Sequence, residues 1–205
     1  MWSKWQNKLF VLLVFIVPVL AWLVMRYYEN KVESLPVLGK KGHTIADFAL
    51  VNQDGEATGT GDWQGRIVVV DFFFTHCPTI CPTMTMSLKK ISSEFEDDHD
   101  VLIQSISIDP ERDSVGRLRQ YAADYNINHR NWDLLTGEKK YIYRLARNSF
   151  MVVATDGDGG PDDFIHSEKL VLIDPKRRIR GYYDGTKNSE VKQLITDIKK
   201  LKDEK

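Results

Sequence analysis

Cysteine is scarce in this chain: two occur in 205 residues, Cys77 and Cys81. So low a count excludes a fold held together by a disulfide framework. No cysteine follows the apolar N-terminal stretch, which excludes a lipid-bearing cysteine there. No second cysteine pair is present to complete a tetrahedral structural zinc site. A charge excess of either sign is missing as well. The chain has 28 basic and 29 acidic residues and a formal net charge of -1. A nucleic-acid footprint would need a clustered basic excess, so no nucleic-acid partner is expected. Internal repeats and low-complexity segments are absent. The mixed-charge run 199–205 reads as a solvated helix end.

What is present begins with an uncharged stretch of 17 residues, Leu9 to Met25. As a helix it would span about 25 Å, near the lower limit for a bilayer core. Trp5, Trp22, Tyr27 and Tyr28 flank or close it, as aromatic residues do at membrane interfaces. Pro18 is tolerated in a lipid-embedded helix. A cleaved signal peptide is the competing reading, but no small-x-small cleavage site follows the apolar run directly. Lys4 and Lys8 precede the segment and Arg26 and Lys31 follow it, so the charge rule leaves orientation open. The expected organisation is a tail over 1–8, a transmembrane anchor over 9–28, a linker over 29–42 and a folded domain over 43–205. A domain of roughly 160 residues buries enough surface to fold without a staple or a metal.

Short apolar runs alternate with charged helical stretches in that domain. Strands are expected at Ile45–Asn52, Arg66–Phe74, Val101–Ile108, Trp132–Leu135, Phe150–Ala154, Leu170–Ile173 and Ile179–Tyr183. The near-continuous apolar run in Arg66–Phe74 suits a strand buried on both faces. Helices are expected at Pro82–Glu96, Ser114–Tyr125 with Ser114 as N-cap, Gly137–Arg147 and Asn188–Leu201. The order begins β-α-β-α and ends in a hairpin and a helix, which specifies an α/β sandwich with a mixed central sheet. The cysteines fall where the first long strand gives way to a helix, the place where open α/β sheets build their sites.

The local sequence runs from Asp71 through His76-Cys77-Pro78-Thr79-Ile80-Cys81-Pro82 to Met84. The spacing is Cys-x3-Cys, one residue longer than a thioredoxin-type redox pair. Positions i and i+4 on one helical face bring two thiols within about 5–6 Å at their Cβ atoms. Two such thiolates can clamp one metal ion or oxidise to a disulfide after a small adjustment. A helix N-terminus favours the thiolate. Soft thiolates select Cu(I) or Zn(II), and Cu(I) is content with two or three ligands. A third ligand is therefore open among His43, His76, His99, His129 and His166. His99 lies in an acidic connector, His129 in a polar loop, His43 near the linker, and His76 beside Cys77. Met84 and Met86 are read as packing residues.

These residues resemble the Sco/SenC family of membrane-anchored, thioredoxin-like copper proteins. The resemblance is carried by Phe74-Thr75-His76-Cys77-Pro78-Thr79-Ile80-Cys81-Pro82, by Ser107-Ile108-Asp109-Pro110-Glu111-Arg112-Asp113, and by His166-Ser167 before an apolar strand. It implies a thioredoxin-like fold and copper, Cu(I) or Cu(II), bound by Cys77, Cys81 and His166. It also implies work on the dinuclear copper centre of cytochrome c oxidase, with that centre's subunit or another thiol or copper protein as partner. A bacterial-type inner membrane with the domain facing the periplasm would be its place. Asp109 would lie near the site, either as a participant or as the turn residue before Pro110. Many members carry aspartate before the ligand histidine, whereas this chain has Ile165, with Asp162 and Asp163 earlier. Copper delivery and reduction of a partner's thiols, in which Cys77 and Cys81 would be the catalytic pair, both stay open. A copper or redox sensor is a third reading.

Overall fold

The computed structural model describes residues 4–32, 34–152 and 167–204. It divides into two units, the first over Met1–Ser34 with Glu204 and the second over Leu35–Asp203 with Lys205. The first unit contains one helix, α1, at Lys4–Val32, with Pro18 inside it. Its described side chains run from Leu12 to Tyr27 and are exposed, with Phe15 at 68 % and Trp22 at 60 %. Among the described residues no helix is long and apolar enough to cross a membrane. A helix therefore stands where the anchor was expected, while its spanning of a bilayer is not shown.

The second unit is built on a seven-stranded mixed sheet. Its strands are β1 (Ala49–Asn52), β2 (Ala57–Gly59), β3 (Ile67–Phe73), β4 (Val101–Ser107), β5 (Trp132–Thr136), β6 (Lys169–Ile173) and β7 (Ile179–Asp184). They lie in the order β2-β1-β5-β4-β3-β6-β7. Parallel pairing joins β3 to β4 and β4 to β5, and the other pairs are antiparallel. Every residue of β3 and β4 is buried, the polar Asp71, Gln104, Ser105 and Ser107 included.

The helices α2 (Ile80–Glu94), α3 (Val115–Tyr125), α4 (Lys139–Arg144) and α5 (Asn188–Asp203) complete the unit. Alternation along β3 builds two cores. Ile67, Val69 and Phe73 pack with Met84, Leu88 and Ile91 of α2, Leu118 and Tyr121 of α3, and Leu194 and Ile198 of α5. Val68, Val70 and Phe72 pack with Phe48, Trp63, Ile142, Tyr143 and Phe150 on the other face. The α/β sandwich with a mixed sheet is thus present. Ser114 caps α3 as expected, accepting a hydrogen bond from the Arg117 N–H.

The larger departures from the sequence reading lie in four places. The first strand begins at Ala49, not Ile45, because the Ile45 N–H is bonded to the Arg177 carbonyl away from the ladder. The three-residue β2 and the 3-10 turn Thr60–Trp63 had no periodic signal to reveal them. α2 starts at Ile80, two residues early, since Pro82 fits a first helical turn where no backbone donor is needed. The strand expected at Phe150–Ala154 is not formed over Phe150–Val152. A π-helical turn, Leu145–Ser149, carries α4 onward, and the Phe150 N–H bonds to the Leu145 carbonyl. Residues 153–154 lie outside the described residues.

Candidate metal centre

β3 delivers the chain to the site. It ends at Phe73, and a tight turn follows in which the Cys77 N–H donates to the Phe74 carbonyl at 3.2 Å. Cys77 lies in this turn, ahead of α2, and Cys81 is the second residue of that helix. The two cysteines therefore do not share a helical face, as their spacing alone suggested. α2 begins at Ile80, so it takes in Cys81 and leaves Cys77 outside.

A different contact joins them. The Cys81 N–H donates to the Cys77 sulfur at 3.4 Å. That N–H is one of the donors a helix leaves unsatisfied in its first turn, and Thr79, the N-cap, provides no side-chain cap. Cys77 Sγ takes over the capping role and gains the partial positive charge of the helix end. The Thr79 hydroxyl stands 4.0 Å from the same sulfur. Both cysteines are free thiols and both are buried.

Their environments push the two thiols apart. Burial raises the Cys77 pKa, but the Cys81 and Thr79 backbone N–H groups, with the side chains of both residues, outweigh it, and the net shift is downward. Burial dominates at Cys81, whose thiol is pushed up to about 12, with the charges of Cys77 and Asp71 adding to the rise. One thiol is poised to ionise and the other holds its proton. Below them lies Asp71, only 1 % exposed, whose Oδ1 has no hydrogen-bond partner. Burial lifts its carboxyl to about 7 against the lowering bond from Ser105. Asp71 escaped the sequence reading, although it is the single charged residue in an otherwise apolar strand.

The other nominated residues fall in several places. His166, Ile165, Asp162 and Asp163 lie outside the described residues. His43 Nε2 meets the Ser149 carbonyl at 2.8 Å, and His129 contacts Asp54 and Gln53. His99 is exposed, and its carbonyl accepts the Arg66 Nε–H. Met84 is 1 % exposed in the core, as a packing residue should be, whereas Met86 is half exposed. Asp109 acts as a turn residue, its carbonyl accepting the Arg112 and Asp113 N–H groups. His76, in the Thr75–His76 turn, contacts the Thr75 hydroxyl. Among the described residues no group of three or more His, Cys, Asp or Glu is placed to hold a metal ion. The two sulfurs are a soft donor pair that suits Cu(I), and they need a further donor from elsewhere for three-coordination.

Comparison with known proteins agrees with this reading of the fold. A family model described as SCO1/SenC matches residues 38–203. A curated relative, the SCO1 protein homolog of Bacillus subtilis, is 33 % identical over 159 residues, covering 77 % of this chain and 82 % of the relative. The solved structure reporting a disulfide switch in BsSco, a member of the Sco family of cytochrome c oxidase assembly proteins, is 31 % identical. It superposes with a TM-score of 0.71 over 84 % of this chain and 99 % of its own. Arabidopsis thaliana ScoI with copper bound is 27 % identical, with a TM-score of 0.60 over 77 % of this chain and 98 % of its own. The mixed α/β fold is thus thioredoxin-like, as the sequence resemblance implied.

Proposed function

The chain belongs to the SCO1/SenC family, and on that premise we propose that it is a membrane-anchored copper protein that serves assembly of the dinuclear copper centre of cytochrome c oxidase. The observation that carries the reading is the Cys77–Cys81 pair, joined by an N–H···S bond and split in acidity. Cys77, Cys81 and His166 are the proposed ligands. Copper is the cargo, and the copper-centre subunit or another thiol or copper protein is the partner. The uncharged run Leu9–Met25 and its exposed apolar side chains support an anchor. A bacterial-type inner membrane with the domain on the periplasmic side fits a reactive thiol pair.

Full-length reduced protein is expected to bind one copper per chain. Loss of an outer-shell partner weakens metal binding about 10–100-fold, so His166→Ala, which removes a ligand, should weaken it at least about 100-fold. Titration with a competing Cu(I) chelator measures this. Unchanged affinity in His166→Ala would remove that histidine from the site. Copper retained by the Cys77→Ser/Cys81→Ser double variant would end the reading.

The lowered Cys77 pKa favours a second reading, reduction of a partner's disulfide. The Cys77 thiolate attacks one partner sulfur, forming a mixed disulfide and releasing a partner thiolate. Cys81 then loses its proton and attacks the Cys77 sulfur, releasing the second partner thiolate. Cys77 and Cys81 end oxidised, and the two partner sulfurs end as thiols. Exchange activity that survives His166→Ala and disappears in Cys77→Ser separates this chemistry from copper delivery.

A further inference from the structure

A buried carboxylate on the neighbouring loop holds the turn that carries Cys77. Strands β3 and β4 run parallel, with Phe73 opposite Ser107 at their ends. The loops that follow them therefore leave the sheet side by side, and Asp113 meets Thr75 across 38 positions of sequence. Asp113 is 0 % exposed, and a carboxylate so buried must be satisfied by donors. It accepts the Thr75 N–H at 3.1 Å and the Ser107 hydroxyl at 2.5 Å on Oδ2, and the Thr75 hydroxyl at 2.6 Å on Oδ1. Its own backbone N–H is fixed to the Asp109 carbonyl at 2.9 Å.

Proton accounting extends the chain to His76. The single proton of the Thr75 hydroxyl goes to Asp113, and the same oxygen accepts the Arg117 Nε–H at 3.0 Å. His76 Nδ1 lies 3.1 Å from this oxygen and 3.8 Å from Asp113 Oδ1. With no hydroxyl proton left to offer, Thr75 can only accept from His76, so Nδ1 carries the hydrogen. The acceptor lone pair is then on Nε2, on a side chain 51 % exposed and one residue from Cys77. Metal-binding histidines are oriented in this way, one ring N–H tied back to an acceptor while the other nitrogen stays basic.

We propose that Asp113 is a positioning residue of the thiol centre: through Thr75 it locks the turn bearing Cys77 and sets His76 with Nδ1 protonated and Nε2 free to receive an incoming copper ion. The copper arm rests on the function proposed above, and the tautomer arm does not.

The test uses full-length reduced protein, with nitrogen-15 NMR to read the His76 tautomer and stopped-flow mixing with a Cu(I)–chelator complex to read loading. His76→Ala assigns the resonance. Wild type and Thr75→Ser are expected to show Nδ1–H and to load equally fast. Thr75→Val, which keeps shape but not the hydroxyl, and Asp113→Asn are expected to lose the fixed tautomer and to load roughly tenfold slower. A change in packing alone would shift melting temperature without selecting a tautomer. If Asp113→Asn fails to fold, Thr75→Val carries both readouts. An Nε2–H tautomer in wild type, or a fixed Nδ1–H in Thr75→Val, overturns the positioning claim. Wild-type loading in His76→Ala overturns the role of Nε2. A wild type that binds no copper defeats the copper reading and the role of Nε2 with it, while the NMR result still decides the positioning claim.

Discussion

Gln104 and Asp71 sit on adjacent strands, face opposite sides of the sheet, and meet opposite treatment. Gln104 points into the core of Trp63, Phe48 and Phe150, and it is fully buried. Its amide oxygen accepts the Trp63 Nε1–H at 3.0 Å, and its nitrogen donates to the Thr58 hydroxyl at 3.3 Å. Asp71 points into the core below the cysteines and leaves Oδ1 without a partner. A neutral amide with both ends bonded stabilises a core, while an under-bonded carboxyl costs stability. The Gln104 face is organised for cohesion. On the Asp71 face, burial raises one thiol and a carboxyl, while hydrogen bonds at the helix start outweigh burial and lower the other thiol.

The largest expected effect tests whether the faces are independent. Trp63 is 2 % exposed and packs edge-on against Phe48 and Phe150, with ring centroids 5.4 and 6.4 Å away. Trp63→Ala empties this volume and orphans the Gln104 oxygen, so it should cost about 3–5 kcal/mol in urea denaturation. The alkylation rate of Cys77 should stay within about twofold of wild type. A thiol rate that follows the loss of stability would show the two faces to be one coupled core.

Asp71→Asn is expected to have a smaller effect that grows with pH. The folded pKa, about 7, lies above the ordinary carboxyl value of 3.8, so the folded state holds a proton that the unfolded chain has released. Stability from this group is complete below about pH 4 and is lost as pH rises through 7. The loss is up to about 4 kcal/mol by the usual conversion of 1.36 kcal/mol per unit. Asp174 and Asp184, both lowered in the fold, act in the other direction and withdraw stability as pH falls through their folded values. Denaturation at pH 5, 6, 7 and 8 should show wild type weakening and the Asn variant nearly level. Equal slopes in the two proteins would mean that Asp71 finds partners in solution.

Much of the fold was legible because β3, β4, β6, β7, α3 and α5 have clear apolar periods and a cap or turn at their ends. The three residues of β2 are too few for a period. The π-helical turn after α4 arises from tertiary packing of Phe150, which local propensity does not encode. In the site, the cysteine pair was legible from spacing, while the relation between its members was not. Placing the start of α2 at Pro82 in place of Ile80 hid the capping role of the Cys77 sulfur. The pairing of Asp113 with Thr75 depends on the parallel register of β3 and β4, which no local motif reveals.

The smallest change in stability accompanies the sharpest test of asymmetry within the thiol face itself. Cys77→Ser and Cys81→Ser each replace sulfur by a slightly smaller polar atom, and the buried hydroxyl should cost roughly 1 kcal/mol. Their remaining thiols should behave differently. With a pKa near 12, Cys81 is thiolate in about one molecule in ten thousand at pH 8, whereas an ordinary thiol at 9 is ionised in about one in ten. The more basic thiolate is intrinsically the better nucleophile, which returns part of this factor of about 1,000. Iodoacetamide should still label Cys77 in Cys81→Ser roughly 30-fold faster than Cys81 in Cys77→Ser. Burial is the chief cause of the Cys81 shift, so removing the Cys77 charge should not abolish it. Equal labelling rates would mean that the acidity of the pair is shared through the N–H···S contact and is not set by the separate surroundings of the two thiols.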